Sequence, residues 1–291
     1  DIRLELAFCT YKDPDLPLAD RLSRALAIVD ALLEEFPALP PEKRQRALAV
    51  AGSVHKRRWQ VHGMKASLEA ARACYLEACR LGIERDTGYT AVNAAFILDL
   101  LADLERDPSG APSATARQMQ AQAESIREEV IQTLARFEVS EYYQRQYWFS
   151  LTLAEANLGC GRYETAREWV RTAAALGMKN WQTESAARQL AHLARLQARK
   201  EGLPPEELER TEAWSVVEAL LGNTSAALAN FRGKVGLALS GGGFRASLYH
   251  IGVFARLAEL DVLRHVEVIS CVSGGAILGT YYYLELKHLL E

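Results

Sequence analysis

No apolar run in this sequence reaches the ~18 residues that a helix needs to cross a bilayer, and no basic-then-apolar leader opens it. Those absences point to a cytoplasmic protein, with peripheral attachment to a membrane as a compatible variant. Cysteine is scarce and scattered: Cys9, Cys74, Cys79, Cys160 and Cys271 are odd in number, with no C-x-x-C pair. That spacing suits neither a disulfide framework nor a thiolate metal site, so free thiols are expected. One-signed charge is missing as well. The 34 basic and 37 acidic residues leave a net charge of −3, which argues against a nucleic-acid partner. Methionine does not open the chain, which is therefore expected to begin inside a longer gene product. Aspartate does not occur after Asp261.

What is present is alanine, leucine, glutamate, arginine and glutamine, at helical spacing, over most of the chain. Prolines cluster at the breaks: Pro37 to Pro41, Pro108 to Pro112, and Pro204-Pro205. The apolar periodicity between them predicts helices near 18–36, 41–58, 65–82, 89–106, 113–138, 141–159, 162–176, 181–200 and 205–221. An internal repeat runs through this region. Ala71-Arg72-x-x-Tyr75-x-x-Ala78-x-x-Leu81-Gly82 aligns with Ala166-Arg167-x-x-Val170-x-x-Ala173-x-x-Leu176-Gly177. Small alanines at such spacing let antiparallel helices approach closely, and the stretch resembles a tetratricopeptide repeat. A generic alanine-rich bundle is the plainer alternative. The basic run His55-Lys56-Arg57-Arg58-Trp59 reads as a solvated helix end, or less simply as a contact for anionic lipid. Trp148, Trp169, Trp181 and Tyr163 fall at helical spacings and are expected in the core.

Near the C-terminus, two glycine-rich turns each follow a short apolar run and precede a helical pattern. Val235-Gly236-Leu237-Ala238-Leu239 leads into Ser240-Gly241-Gly242-Gly243-Phe244-Arg245. Val266-Glu267-Val268-Ile269 leads into Ser270-Cys271-Val272-Ser273-Gly274-Gly275. Strand, tight turn and helix, twice over, present backbone N–H groups and a nucleophile at one edge of an α/β sheet. Ser273 occupies the serine position of a nucleophile elbow, with Gly274 and Gly275 behind it and Cys271 where the first glycine of that pattern would stand. A plain βα turn with a capping serine is the simpler use of the same residues. In the first turn, Gly241, Gly242 and Gly243 leave backbone N–H groups uncovered, and Arg245 adds a positive charge. The spacing fits neither G-x-G-x-x-G nor a P-loop, so an oxyanion hole is the better use, with phosphate binding as the other.

Together these residues resemble the patatin-like phospholipases: Leu239 to Arg245, a helix carrying Ser247-Leu248-Tyr249-His250-Ile251-Gly252-Val253-Phe254, then Val272 to Gly275. The resemblance covers about the last 60 residues. It implies hydrolysis of a lipid acyl ester, membrane phospholipid or another, by a Ser-Asp dyad. Ser273 would be the nucleophile, Gly241, Gly242, Gly243 and Arg245 the oxyanion loop, and Gly274 and Gly275 the elbow. It implies no metal or organic cofactor. Ala246 and Cys271 replace glycines of the pattern. The family's aspartate follows much later in sequence; Asp261 lies in the connection before the second strand, so the dyad aspartate is expected beyond Glu291. His250 and His265 are not at positions that suggest a partner and read as surface or packing histidines. A second, looser resemblance covers residues 40–200. Ser53-Val54-His55-Lys56-Arg57, Tyr89-x-x-x-Asn93-Ala94-Ala95 and Trp181-x-x-x-Ser185 look like the helical TRAF-binding-type domain of apoptosis signal-regulating kinases. It implies a regulatory or protein-binding solenoid.

The expected architecture is therefore an all-α tetratricopeptide-like array over 1–222, followed at 233–291 by the start of a patatin-type α/β hydrolase. The array is expected to bind a protein partner or to control the hydrolase. The residues leave open a non-catalytic helical scaffold that carries an incomplete hydrolase domain.

Overall fold

The computed structural model describes residues 2–290 except 14, 107–110, 223–234, 260, 261, 264 and 265. Asp261, His265, Pro108 and nearly all of the expected boundary stretch thus lie outside the described residues. The chain divides into two compact units, 1–227 and 228–291.

The first unit is a run of helix pairs. α1 (Ile2–Lys12) pairs with α2 (Leu18–Glu35), α3 (Pro41–His62) with α4 (Lys65–Cys79), and α5 (Tyr89–Leu104) with α6 (Ala114–Ala135). A one-turn α7 (Glu141–Gln144) precedes the pair α8 (Tyr147–Gly159) and α9 (Tyr163–Ala175), and α10 (Asn180–Lys200) pairs with α11 (Glu212–Leu221). First helices of different pairs also touch one another: α1 meets α3, and α5, α8 and α10 meet mutually. The two repeat copies are equivalent in space. Ala71, Tyr75 and Ala78 on α4, and Ala166, Val170 and Ala173 on α9, are all fully buried on the second helix of their pairs. Closeness is the reason for small residues there: a Cβ on Gly52 of α3 would stand 2.8 Å from the Tyr75 ring.

Several sequence expectations need correction. α1 was not expected; only Leu4 and Ala7 of its residues are buried, too few to leave a periodic signal. The helix expected over 141–159 is interrupted, because Gln146 takes an extended conformation, with φ −103° and ψ 108°. The last expected helix begins as a 3₁₀ turn, Pro205–Arg210, before Thr211 caps α11 by accepting from the Trp214 N–H at 3.1 Å. The basic run is not a helix end. It lies within α3 and is half-buried, with Lys56 Nζ donating to Asn93 Oδ1 at 2.6 Å and Gln189 Oε1 at 2.7 Å. Burial pulls the Lys56 ammonium down to about 8 despite the charge of Glu155 nearby. Trp181 is 53% exposed rather than in the core, with Lys12 Nζ 5.3 Å from its ring centroid.

The central pairs share one apolar core, which contains Leu68, Phe96, Leu101, Val130, Phe149 and Leu153. At its edge runs a buried ion pair: Arg127 Nη2 meets Asp99 Oδ2 at 2.6 Å, with both side chains 1% exposed. Lys200 Nζ approaches the other carboxylate oxygen at 3.3 Å. The arginine fits because position 159 carries no side chain; a Cβ on Gly159 would overlap the guanidinium.

In the second unit, β1 (Val235–Leu239) and β2 (Val266–Cys271) form a parallel two-stranded sheet, with Leu239 opposite Cys271. α12 (Gly243–Glu259) connects them and α13 (Gly274–Leu290) follows β2. The two helices pack on each other, with Phe254 edge-on to Tyr282 at 4.8 Å. Alternation along the strands turns Leu237, Leu239, Ile269 and Cys271 away from solvent, while Gly236, Ala238, Val268 and Ser270 are exposed.

Candidate active site

Both glycine turns lie at the C-terminal ends of the paired strands, because parallel pairing brings equivalent ends together. Val272 N–H donates to the Leu239 carbonyl at 3.1 Å, extending the ladder one residue past β2. The chain then turns sharply. Ser273 takes φ +51°, one of two non-glycine residues with positive φ among those described. For a residue with a Cβ this left-handed conformation is unfavourable and persists only where the surroundings impose it. Its consequence is exposure: Ser273 faces solvent while Gly274 and Gly275 behind it are buried.

The glycines behind the serine are required by close backbone approach. A Cβ on Gly274 would collide with the Gly243 carbonyl, and one on Gly275 would lie 2.5 Å from the Leu239 carbonyl oxygen. The start of α13 is thus seated directly on the first turn and on the end of β1. Gly241 faces the serine turn, and a Cβ there would meet the Ser273 Cβ at 3.3 Å. Gly242 and Gly243 have φ of +141° and +60°. Among the described residues, none of the N–H groups of Gly241, Gly242 and Gly243 donates a hydrogen bond. The structure therefore brings Ser273, Gly241, Gly243, Gly274 and Gly275 together beside the start of two helices, where the N-terminal end of the helix dipole favours negative charge. Arg245 is exposed on the first turn of α12.

Three residues for which the sequence suggested no role in the site complete the arrangement. Gly279 explains how cysteine is tolerated at position 271. A Cβ at 279 would overlap the Cys271 Sγ, so the thiol fills the space a side chain on α13 would take. The i, i+4 spacing of Gly275 and Gly279 was the available signal. Ser247 and His250, on the buried side of α12, hydrogen-bond to the backbone of the two turns. Of the two uses expected for His250, surface or packing, the structure shows the second: it is buried and bonded to the Ser240 carbonyl. No hydrogen bond to Ser273 Oγ is made by another described residue, and no group of three or more metal-ligating side chains occurs among the described residues.

Comparison with known proteins gives two matches. Residues 1–98 match the family model described as Tetratricopeptide Repeats-Sensor, and residues 237–289 match that of Patatin-like phospholipase. No curated protein and no solved structure matches the chain. The chain thus combines a tetratricopeptide-type helical array with the incomplete start of a patatin-like α/β fold.

Proposed function

We propose that Ser273 is the nucleophile of a lipid acyl-ester hydrolase. The observation that carries this reading is the left-handed φ of +51° at an exposed serine between a parallel strand and a helix. A capping serine has no need of that conformation, whereas an elbow holds its Oγ clear of the sheet by means of it. Oγ attacks the ester carbonyl carbon and gives its proton to a base, which the family resemblance makes an aspartate. The carbonyl oxygen becomes an oxyanion, stabilised by the N–H groups of Gly242 and Gly243. Collapse of the tetrahedral intermediate expels the alcohol, which takes up the proton, and water then hydrolyses the acyl-serine. Arg245 offers a cation to a lipid phosphate. The helical array is the part that binds a protein partner or regulates the hydrolase, in a cytoplasmic protein. Among the described residues no helix is long and apolar enough to cross a membrane.

A non-catalytic scaffold is the second reading, favoured by the lack of a hydrogen-bonded acid or imidazole at Ser273 among the described residues. Labelling with a fluorophosphonate separates the two. Covalent modification at Ser273, lost in Ser273→Ala together with any ester hydrolysis, is expected of the hydrolase. Hydrolysis that persists in Ser273→Ala removes the assignment.

A further inference from the structure

Two polar side chains remain on the buried side of α12 once the nucleophile and the glycine turns are assigned. Ser247 is 8% and His250 5% exposed, and their three-residue spacing puts them on one face. Phe254 continues that face and is buried against α13. A helix that only covered the sheet would be apolar at 247 and 250 as well. Instead, each polar tip reaches the backbone of one turn. Ser247 Oγ donates to the Gly274 carbonyl at 2.7 Å and lies 3.4 Å from that of Gly243. His250 Nε2 lies 3.1 Å from the Ser240 carbonyl and 3.4 Å from the hydroxyl of the same residue. A carbonyl oxygen only accepts, so Nε2 carries the proton. In the neutral ring, Nδ1 is then an acceptor, and it is buried with no hydrogen-bond partner among the described residues. Leucine or phenylalanine would bury no unmet acceptor there. What the imidazole supplies in exchange is the bond to Ser240.

We propose that Ser247 and His250 are positioning residues for the chemistry of Ser273. His250 pins the carbonyl at the start of the glycine turn, Ser247 ties the serine turn to α12, and together they hold the free N–H groups of Gly242 and Gly243 in register with Ser273. The need is physical: three consecutive glycines have more backbone freedom than any other residues, and oxyanion donors are effective only when they need not reorganise during the reaction. The proposal rests on Ser273 being the nucleophile.

The test uses the full 291-residue chain, labelled with a fluorophosphonate over a range of concentrations. Maximal rate and half-saturating concentration are then read separately. His250→Leu and Ser247→Ala are expected to lower the maximal rate about 10- to 100-fold, as a misaligned oxyanion donor does, with half-saturation little changed. His250→Gln, whose amide can donate to Ser240, is expected to recover most of that rate. A wild-type rate in His250→Leu, or a His250→Gln variant as slow as His250→Leu, overturns the proposal, as does an Nδ1–H tautomer for His250 in ¹⁵N spectra. If the unmodified chain labels no faster than Ser273→Ala, the base expected beyond Glu291 is what the reaction lacks, and the labelling rates do not bear on Ser247 and His250. Amide hydrogen exchange then decides the positioning claim. His250→Leu should speed exchange at Gly241 to Phe244 about tenfold or more without changing β2, and unchanged exchange at those amides refutes it.

Discussion

Ser273 and its glycines show how much a single atom decides at this site. The pair Cys271 and Gly279 is the sharpest case, because the thiol occupies the space that a Cβ at 279 would need. Gly279→Ala is expected to destabilise the second unit by about 1–3 kcal/mol, the usual cost of overpacking. Cys271→Gly should restore most of that loss, since it vacates the space. Chemical denaturation of the two single variants and the double variant measures the coupling; additive effects would contradict the contact. Gly242 is different in kind, since a side chain there meets only Ala246, at 3.1 Å, while its φ of +141° is unfavourable for any other residue. Gly242→Val is therefore expected to lower turnover of an ester substrate about 100-fold through the misplaced N–H group. Weaker substrate binding with unchanged turnover would instead favour phosphate recognition by the loop.

At the scale of elements, the array depends on polar contacts between helices distant in sequence. Asp99 of α5 and Arg127 of α6 are each 1% exposed, and α8 leaves room for the guanidinium only because it ends in Gly159. Removing one partner of such a pair leaves an uncompensated buried charge. Asp99→Ala is expected to cost about 3–5 kcal/mol, seen as a lower denaturation midpoint of the helical signal. A loss below about 1 kcal/mol would mean that Arg127 finds water or another acceptor. α3 and α10 are joined in a similar way. Lys56 bonds Asn93 and Gln189, and Gln189 Nε2 donates to Glu155 Oε2 at 2.7 Å. Burial pushes the Glu155 carboxyl up, while Lys56 opposes that shift.

Across the whole first unit, acid sensitivity follows from His192 on α10. Its ring lies 6.1 Å from that of Trp59 and 6.4 Å from that of Phe96. Burial first, then the charges of Arg195 and Arg188, depress it from 6.5 to about 4. Between those pH values the unfolded chain takes up a proton that the folded chain refuses, so stability rises with pH and falls on acidification. The contribution is present in full above pH ~6.5 and lost by pH ~4, with a size of about 2 kcal/mol after allowance for partial exposure. Urea denaturation at pH 7 and pH 4.5 should therefore show a smaller loss for His192→Phe than for the unmodified protein. An equal loss would show that His192 protonates without penalty. This comparison by variant is needed because burial pushes the Glu155 carboxyl up, and a carboxyl so raised acts in the opposite direction as pH falls through its titration.

Local signals settled the division into a helical array and a strand–turn–helix segment, together with both glycine turns and the repeated Ala71/Ala166 frame. Helical periodicity, proline breaks and consecutive glycines act over a few residues, so they are legible one window at a time. α1 escaped because two buried side chains make no period, and the break at Gln146 escaped because nothing in its neighbourhood forbids helix. The basic run looked solvated for the same reason: its partners Asn93 and Gln189 stand 37 and 133 residues away from Lys56. Only tertiary structure decided what each turn rests against. Gly274 is necessary because of Gly243, Gly279 because of Cys271, and His250 is tied to Ser240 because α12 folds back along the strand it follows. Such relations depend on which backbones approach within a few ångströms of one another, and no pattern confined to neighbouring residues carries that information.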